Sequence, residues 1–117
     1  MAKLSTHVLD THSGHPGVGM ALCLERFDGT HWLTLKTDTT NGDGRTDAPL
    51  LESPALALGK YRLTFGVGQY FRSQGIALPE PTFLDDVPLQ FGIADANSNY
   101  HVPLLCSPWS YSTYRGS

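Results

Sequence analysis

The sequence predicts an all-β domain, a two-sheet sandwich of about eight strands with one short helix. Three observations carry this. Apolar residues recur at every second position in run after run, which is the strand period. The punctuation between runs is Gly, Pro, Asn and Asp, the residues that supply turn conformations. The runs also follow one another too closely to leave room for the crossover helices of a parallel α/β sheet. At 117 residues the chain is read as one domain, residues 1–117, large enough to bury a core without disulfides or a structural metal.

The elements follow in order. In Leu4 to Asp10, strand alternation puts Leu4, Thr6 and Val8 on one face and Ser5, His7 and Leu9 on the other. If Val8 faces the core, His7 faces out. The turn THSGHPG, residues 11–17, leaves His12 and His15 solvated. Met20, Leu22 and Leu24, then Leu33 and Leu35, mark two half-buried strands, joined as a hairpin by Asp28-Gly29. The stretch NGDGR, Asn41 to Arg45, is a turn, because Asn-Gly and Asp-Gly supply positive φ, and a very short strand follows it. Tyr61, Leu63, Phe65 and Val67 against Arg62, Thr64 and Gly66 form the clearest strand. Between Gly68 and Gly75, Gln69 to Gln74 is the helical candidate, with Tyr70 and Gln74 on one side. After an extended loop with Pro79, Pro81 and Asp85-Asp86, alternation resumes at Val87, Leu89, Phe91 and Ile93. Tyr100 to Cys106 places Tyr100, Val102, Leu104 and Cys106 inward and His101, Pro103 and Leu105 outward. Trp109 to Arg115 is the last strand, with Ser112 and Tyr114 opposite Tyr111 and Arg115.

Composition narrows the function. Hydrophobic residues make up 40% and charged residues 16%, which excludes a disordered chain and suits a surface engaged in subunit contacts. With a net charge of −3 and eight scattered Lys and Arg, there is no basic patch for a phosphate backbone, so nucleic acid is not an expected partner. No apolar run reaches the length of a membrane span, and the strand pattern begins too early for a leader, so a cytoplasmic protein without membrane contact is expected. Cys23 and Cys106 lie singly in apolar runs and read as reduced, buried thiols.

The residues that could carry chemistry are few. His7 and His101 both face away from their own core, either as ordinary surface imidazoles or as titratable groups of a site. His7, His12, His15, His31 and His101 show no local ligand spacing, and there is no HExxH and no Cys cluster, so no metal is expected. Arg45 is either solvated or held by its turn where a planar guanidinium grips a carbonyl or a planar anion. No G-x-S-x-G elbow is present, so a covalent serine mechanism has no support.

Four segments, LSTHVLDTHSGHPG, TNGDGRTD, GKYRLTFGVGQYF and YHVPLLCSPWSYSTYRGS, span nearly the whole chain in order and resemble the transthyretin-like family, in its branch of 5-hydroxyisourate hydrolases. The pairing of HVLD near one end with YRGS at the other is the specific part. The resemblance implies two four-stranded sheets and a homotetramer, a dimer of dimers with sites in a central channel. It implies hydrolysis of 5-hydroxyisourate to 2-oxo-4-hydroxy-4-carboxy-5-ureidoimidazoline in urate catabolism, without a cofactor. The matching site positions are His7, Arg45, His101 and Ser117 as catalytic, with His7, Arg45, Tyr114 and Arg115 binding substrate. Gly17 in place of the usual alanine, the segment PTFLDDVPLQF, and Cys106 in place of leucine depart from the family pattern, and bear on loop shape.

Opening a cyclic amide with water needs a base, an electrophile for the oxyanion and a proton for the leaving nitrogen. His7 and His101 would handle water and its proton, Arg45 would polarise the ring oxygens, and Tyr114 with Ser117 would position the planar ring. Removing Ser117 is expected to impair activity before folding. The alternatives are a small-ligand carrier on the same fold and a plain β-sandwich interaction module.

Overall fold

The computed structural model describes residues 2–117. Strands run in the order β1 (Lys3–Ser5), β2 (Val8–Asp10), β3 (His15–Pro16), β4 (Ala21–Phe27), β5 (Trp32–Thr39), β6 (Leu51–Glu52) and β7 (Gly59–Gly66), then α1 (Val67–Ser73), then β8 (Asp86–Ile93), β9 (Tyr100–His101), β10 (Leu104–Cys106) and β11 (Tyr111–Ser112). One layer is the sheet β5-β4-β7-β8, antiparallel throughout. The other layer falls into two hydrogen-bonded pieces, β6-β1-β9 and β11-β10-β2-β3. Leu4, Val8 and Leu104 from this split layer and Leu24, Leu63 and Phe65 from the first are fully buried in one core. The all-β sandwich expected from the alternation is thus the observed architecture.

The expected continuous strands Leu4–Asp10 and Tyr100–Cys106 are each broken in the middle, and the breaks face each other. β1 pairs with β9 and β2 with β10, in parallel, but between them the ladder is interrupted. Pro103 has no N–H to give. The Thr6 hydroxyl donates to the Val102 carbonyl at 2.7 Å, and the Val8 N–H donates to the Gly44 carbonyl at 2.8 Å. His7 therefore sits at the gap. Its carbonyl still accepts from Leu104 N at 2.9 Å, so the two halves stay in line across the interruption.

Other expectations are corrected in detail. Leu33 and Leu35 do join the predicted hairpin, but they are 48% and 42% exposed rather than half-buried. β5 is an edge strand, and the register with β4 shifts between Leu24 and Glu25, so alternation loses its phase there. Val67, read as the end of a strand, instead starts the helix, which buries Val67, Tyr70 and Phe71 while Gln74 is its exposed C-cap. The turn THSGHPG contains a short strand, since His15 pairs with Asp10 and Pro16 with Leu9; both of its histidines are exposed, as expected. The last strand is shorter than predicted, only Tyr111–Ser112 pairing with β10 before the chain lifts off.

Asp10, which the sequence did not single out, ties three elements together. One carboxylate oxygen accepts from the Tyr70 hydroxyl of α1 at 2.8 Å, and the other from His12 N at 2.9 Å and Ser13 N at 3.0 Å. Burial pushes its pKa up, but the hydrogen bonds from Tyr70, Ser13 and His12 outweigh burial and hold the carboxyl below its ordinary range. A depressed carboxylate contributes stability that is present above the unfolded pKa and is lost as pH falls through the folded value. Asp10→Ala is expected to lower unfolding free energy by about 1–3 kcal/mol, because it strands a buried hydroxyl and two amides. Urea unfolding checks this, and an unchanged midpoint would contradict it.

Candidate active site

The site is built at the interruption described above. His7 occupies the link between β1 and β2, with its side chain on the outer, half-buried face. The Asn41–Arg45 turn is hydrogen-bonded onto that link. Asn41 closes the turn: its side-chain oxygen accepts from Asp43 N at 2.9 Å and Arg45 N at 3.1 Å, and its own N–H donates to the Arg45 carbonyl at 2.7 Å. Gly44 makes the contact to β2. Its φ is +76°, and a Cβ there would stand 2.5 Å from the Val8 carbonyl oxygen, so only glycine lets the turn lie against the strand. The turn thus holds the exposed Arg45 one residue from the contact to Val8.

His101 arrives from β9. The parallel register sets Ser5 opposite His101, and the two side chains meet on the outer face, with Ser5 Oγ 2.9 Å from His101 Nδ1. Burial pushes the His101 pKa down, and the positive charges of Arg45 and His7 push it further in the same direction. The three groups are therefore electrostatically one cluster around His101.

The chain's last residues close over the other flank. Gly116 N donates to the His101 carbonyl at 2.7 Å and His101 N to the Gly116 carbonyl at 3.2 Å. This bridge brings the backbone so near the imidazole that a Cβ on Gly116 would lie 2.9 Å from His101 Cβ and 3.0 Å from Cδ2. Ser117 follows directly and is exposed. Thr113 Oγ1 donates to the Pro103 carbonyl at 2.7 Å, fastening the segment over the break in the ladder. Pro103, a residue alternation places outward, is buried.

Tyr114 and Arg115 take their side chains elsewhere in the single chain. Arg115 donates to the Asn99 carbonyl at 3.0 Å, and its guanidinium carbon lies 4.5 Å from the centre of the Tyr100 ring. Both residues border a recess of about 240 Å³, together with Leu89 and Phe91 of β8 and Tyr100. His7, Arg45 and His101 do not line it. The structure therefore gathers His7, Arg45, His101 and the Gly116–Ser117 backbone, and sets the side chains of Tyr114 and Arg115 at a neighbouring recess.

Two groups in the cluster were not singled out by the sequence. Ser5 shares the outer face with His7 by alternation, but its pairing with His101 depends on a register that only the fold supplies. Asn41 carried a signal, since Asn side chains close such turns on their own backbone. Among the described residues no three His, Cys, Asp or Glu side chains group as a metal site. His12, His15 and His31 are exposed and lie outside the cluster; His31 Nδ1 is 3.0 Å from Thr30 Oγ1 in the Asp28 turn. Cys106 is buried, and burial with the nearby Asp10 charge pushes its thiol up to about 12, so it is a core residue and not a nucleophile.

Comparison with known proteins agrees over the whole chain. The HIUase/Transthyretin family profile matches residues 4–116. A 5-hydroxyisourate hydrolase of Ralstonia nicotianae is 56% identical over 117 residues, covering 100% of both chains. The structure of the Klebsiella pneumoniae 5-hydroxyisourate hydrolase superposes with a TM-score of 0.82 at 34% identity, covering 100% of each chain. Sea bream transthyretin in complex with thyroxine superposes at a TM-score of 0.87 with 26% identity, covering 98% of this chain and 95% of that one.

Proposed function

The chain belongs to the HIUase/Transthyretin family, and from that membership together with the polar cluster we propose that it is a 5-hydroxyisourate hydrolase. It opens a cyclic amide of 5-hydroxyisourate with water, giving 2-oxo-4-hydroxy-4-carboxy-5-ureidoimidazoline, a step of urate catabolism. The observation that carries the reading is the convergence of His7, Arg45 and His101 at one break in the ladder, where burial and the two neighbours push the His101 pKa down. The water oxygen bonds to a ring carbonyl carbon, the carbonyl becomes an oxyanion, and the carbon–nitrogen bond then breaks with a proton passing to the nitrogen. Imidazoles suit the handling of that proton because their pKa lies near working pH. The Arg45 guanidinium supplies a fixed positive fork for the oxyanion and the planar ring.

The terminal segment completes the proposal. Gly116 is bridged to His101, which supports a role for Ser117, the next residue, in hydrogen-bonding the substrate. Tyr114 and Arg115 bind substrate across a subunit contact, which accounts for side chains that point away from the cluster of their own chain. The molecule is then a homotetramer, a dimer of dimers. β8 and β11 are edge strands with a free side in the single chain, which supports such an assembly, and light scattering tests it. Among the described residues no helix is long and apolar enough to cross a membrane, and the two cysteine thiols suit a cytoplasmic setting.

A carrier reading has less behind it. The thyroxine complex is a relative at 26% identity, against 56% for the Ralstonia hydrolase, and a cluster of two imidazoles and a guanidinium is a poor host for an apolar ligand. The test is the ultraviolet absorbance of freshly made 5-hydroxyisourate. The protein is expected to accelerate its decay well beyond the spontaneous rate, and an unchanged decay overturns the reading.

A further inference from the structure

We infer that Thr113 is a positioning residue: its hydroxyl takes the place of a backbone rung that Pro103 removes, and so sets where Gly116 and Ser117 stand beside His101. The inference rests on the hydrolase reading for its effect on turnover, while the geometry behind it stands without substrate.

β10 pairs with β11 at Leu105–Ser112 and Cys106–Tyr111, and the bridge farther along joins His101 to Gly116. Leu105 to His101 and Ser112 to Gly116 are the same number of residues, so the terminal segment keeps the register of β11 without a bulge. In an antiparallel ladder, opposed residues alternate between pairs that exchange both backbone bonds and pairs that exchange none. His101 and Gly116 exchange both, at 2.7 Å and 3.2 Å. Midway between that bridge and Leu105–Ser112, Pro103 stands opposite Tyr114, where the same exchange is due. It fails there. Pro103 has no N–H to donate. Its carbonyl, which the Tyr114 amide would take, accepts instead from Thr113 Oγ1 at 2.7 Å, and the Tyr114 N–H has no partner among the described residues. The direction of this bond is fixed, because a carbonyl oxygen only accepts.

The other flank of the break is built alike. Val102 N donates to the Ser5 carbonyl at 2.9 Å, and the Val102 carbonyl accepts from Thr6 Oγ1 at 2.7 Å. At each flank a threonine hydroxyl stands where a backbone amide would. The hydroxyl also sets a distance. A methyl carbon meets a carbonyl oxygen at about 3.3–3.6 Å, so valine in place of Thr113 both loses the bond and lifts the segment by roughly half an ångström. Arg115 is a second tie, to the Asn99 carbonyl at 3.0 Å, but its side chain has a duty to substrate in the reading above. Thr113 is the tie that serves position alone. The lift is felt at His101, because Gly116 lies so near the imidazole that a Cβ on it would stand 3.0 Å from Cδ2, and Ser117 follows Gly116 directly.

The test is hydrogen exchange of single backbone amides in the full chain without substrate, paired with turnover of 5-hydroxyisourate. In the wild type the Gly116 amide is expected to be protected and the Tyr114 amide to exchange freely. Thr113→Val is expected to speed Gly116 exchange by about tenfold and to lower kcat by about tenfold with little change in KM, the size of one lost hydrogen bond, while Leu63 in the core keeps its protection. Thr113→Ser keeps the hydroxyl and is expected to restore both readouts. A wild-type Tyr114 amide as protected as that of Gly116 overturns the inference, and needs no variant to fold. Unchanged Gly116 exchange in Thr113→Val, faster exchange with unchanged kcat, an equal loss at Leu63, or no rescue by serine each overturns the positioning role. Absence of hydrolase activity in the wild type would fail the functional reading while leaving the exchange measurement intact, so the two failures are distinguishable.

Discussion

His7→Ala is expected to lower kcat/KM for 5-hydroxyisourate by about 10²- to 10⁴-fold, the range over which a positioned acid or base group contributes, and to leave the fold as it is. The structure separates these two effects well. The His7 ring makes no hydrogen bond among the described residues, and the bond from Leu104 N to the His7 carbonyl is one that alanine keeps. His101→Ala is a less clean experiment, because its ring is packed against Gly116 and partnered by Ser5. The measurement is the ultraviolet decay of fresh substrate corrected for its spontaneous rate, with circular dichroism as the control for folding. A His7→Ala protein that turns over substrate at the wild-type rate would remove His7 from the mechanism.

The second large effect belongs to Arg45. Arg45→Ala is expected to cost about 10²–10³ in kcat, the usual size for losing one donor to an oxyanion. Arg45→Lys is expected to recover only part of that loss, since a point charge does not reproduce a planar two-pronged donor. The turn itself tolerates either change, because Asn41 holds it through the backbone of Arg45 and not through its side chain. A second readout separates charge from shape. Arg45 helps to depress the His101 pKa, so removing the charge lets His101 titrate at higher pH. The His101 titration followed by resonance spectroscopy is expected to move up in Arg45→Ala and to stay depressed in Arg45→Lys. Full activity in Arg45→Lys would show that charge alone suffices, and an unmoved titration in Arg45→Ala would place Arg45 away from His101.

Much of the fold was legible because strand alternation is a local property. Val8, Leu63, Leu104 and Cys106 face inward as their positions require, and His7 and His101 face out. The same rule failed at Leu33 and Leu35, where an edge position and a register shift remove the partner surface that alternation presumes. It failed again at Val67, whose burial fits a strand or a helix equally well; the helix begins there because the strand pairing with β8 stops at Gly66. Asp10 gave no signal at all. Its partners His12 and Ser13 are adjacent in sequence, but the third, Tyr70, is sixty residues away.

The sequence by itself determined the class of the domain, the outward direction of both imidazoles and the family, the last through motifs at opposite ends of the chain. It also set the local shape of the Asn41–Arg45 turn, since glycine at positive φ is a requirement of single residues. What the tertiary structure decided is which of these pieces meet. The break at Thr6–His7, the docking of Gly44 on Val8, the register that sets Ser5 against His101 and the bridge from Gly116 all join residues distant in the chain. Each depends on where a backbone donor or acceptor finds its partner across the sheet. A pattern of side chains read along one strand carries no information about that choice.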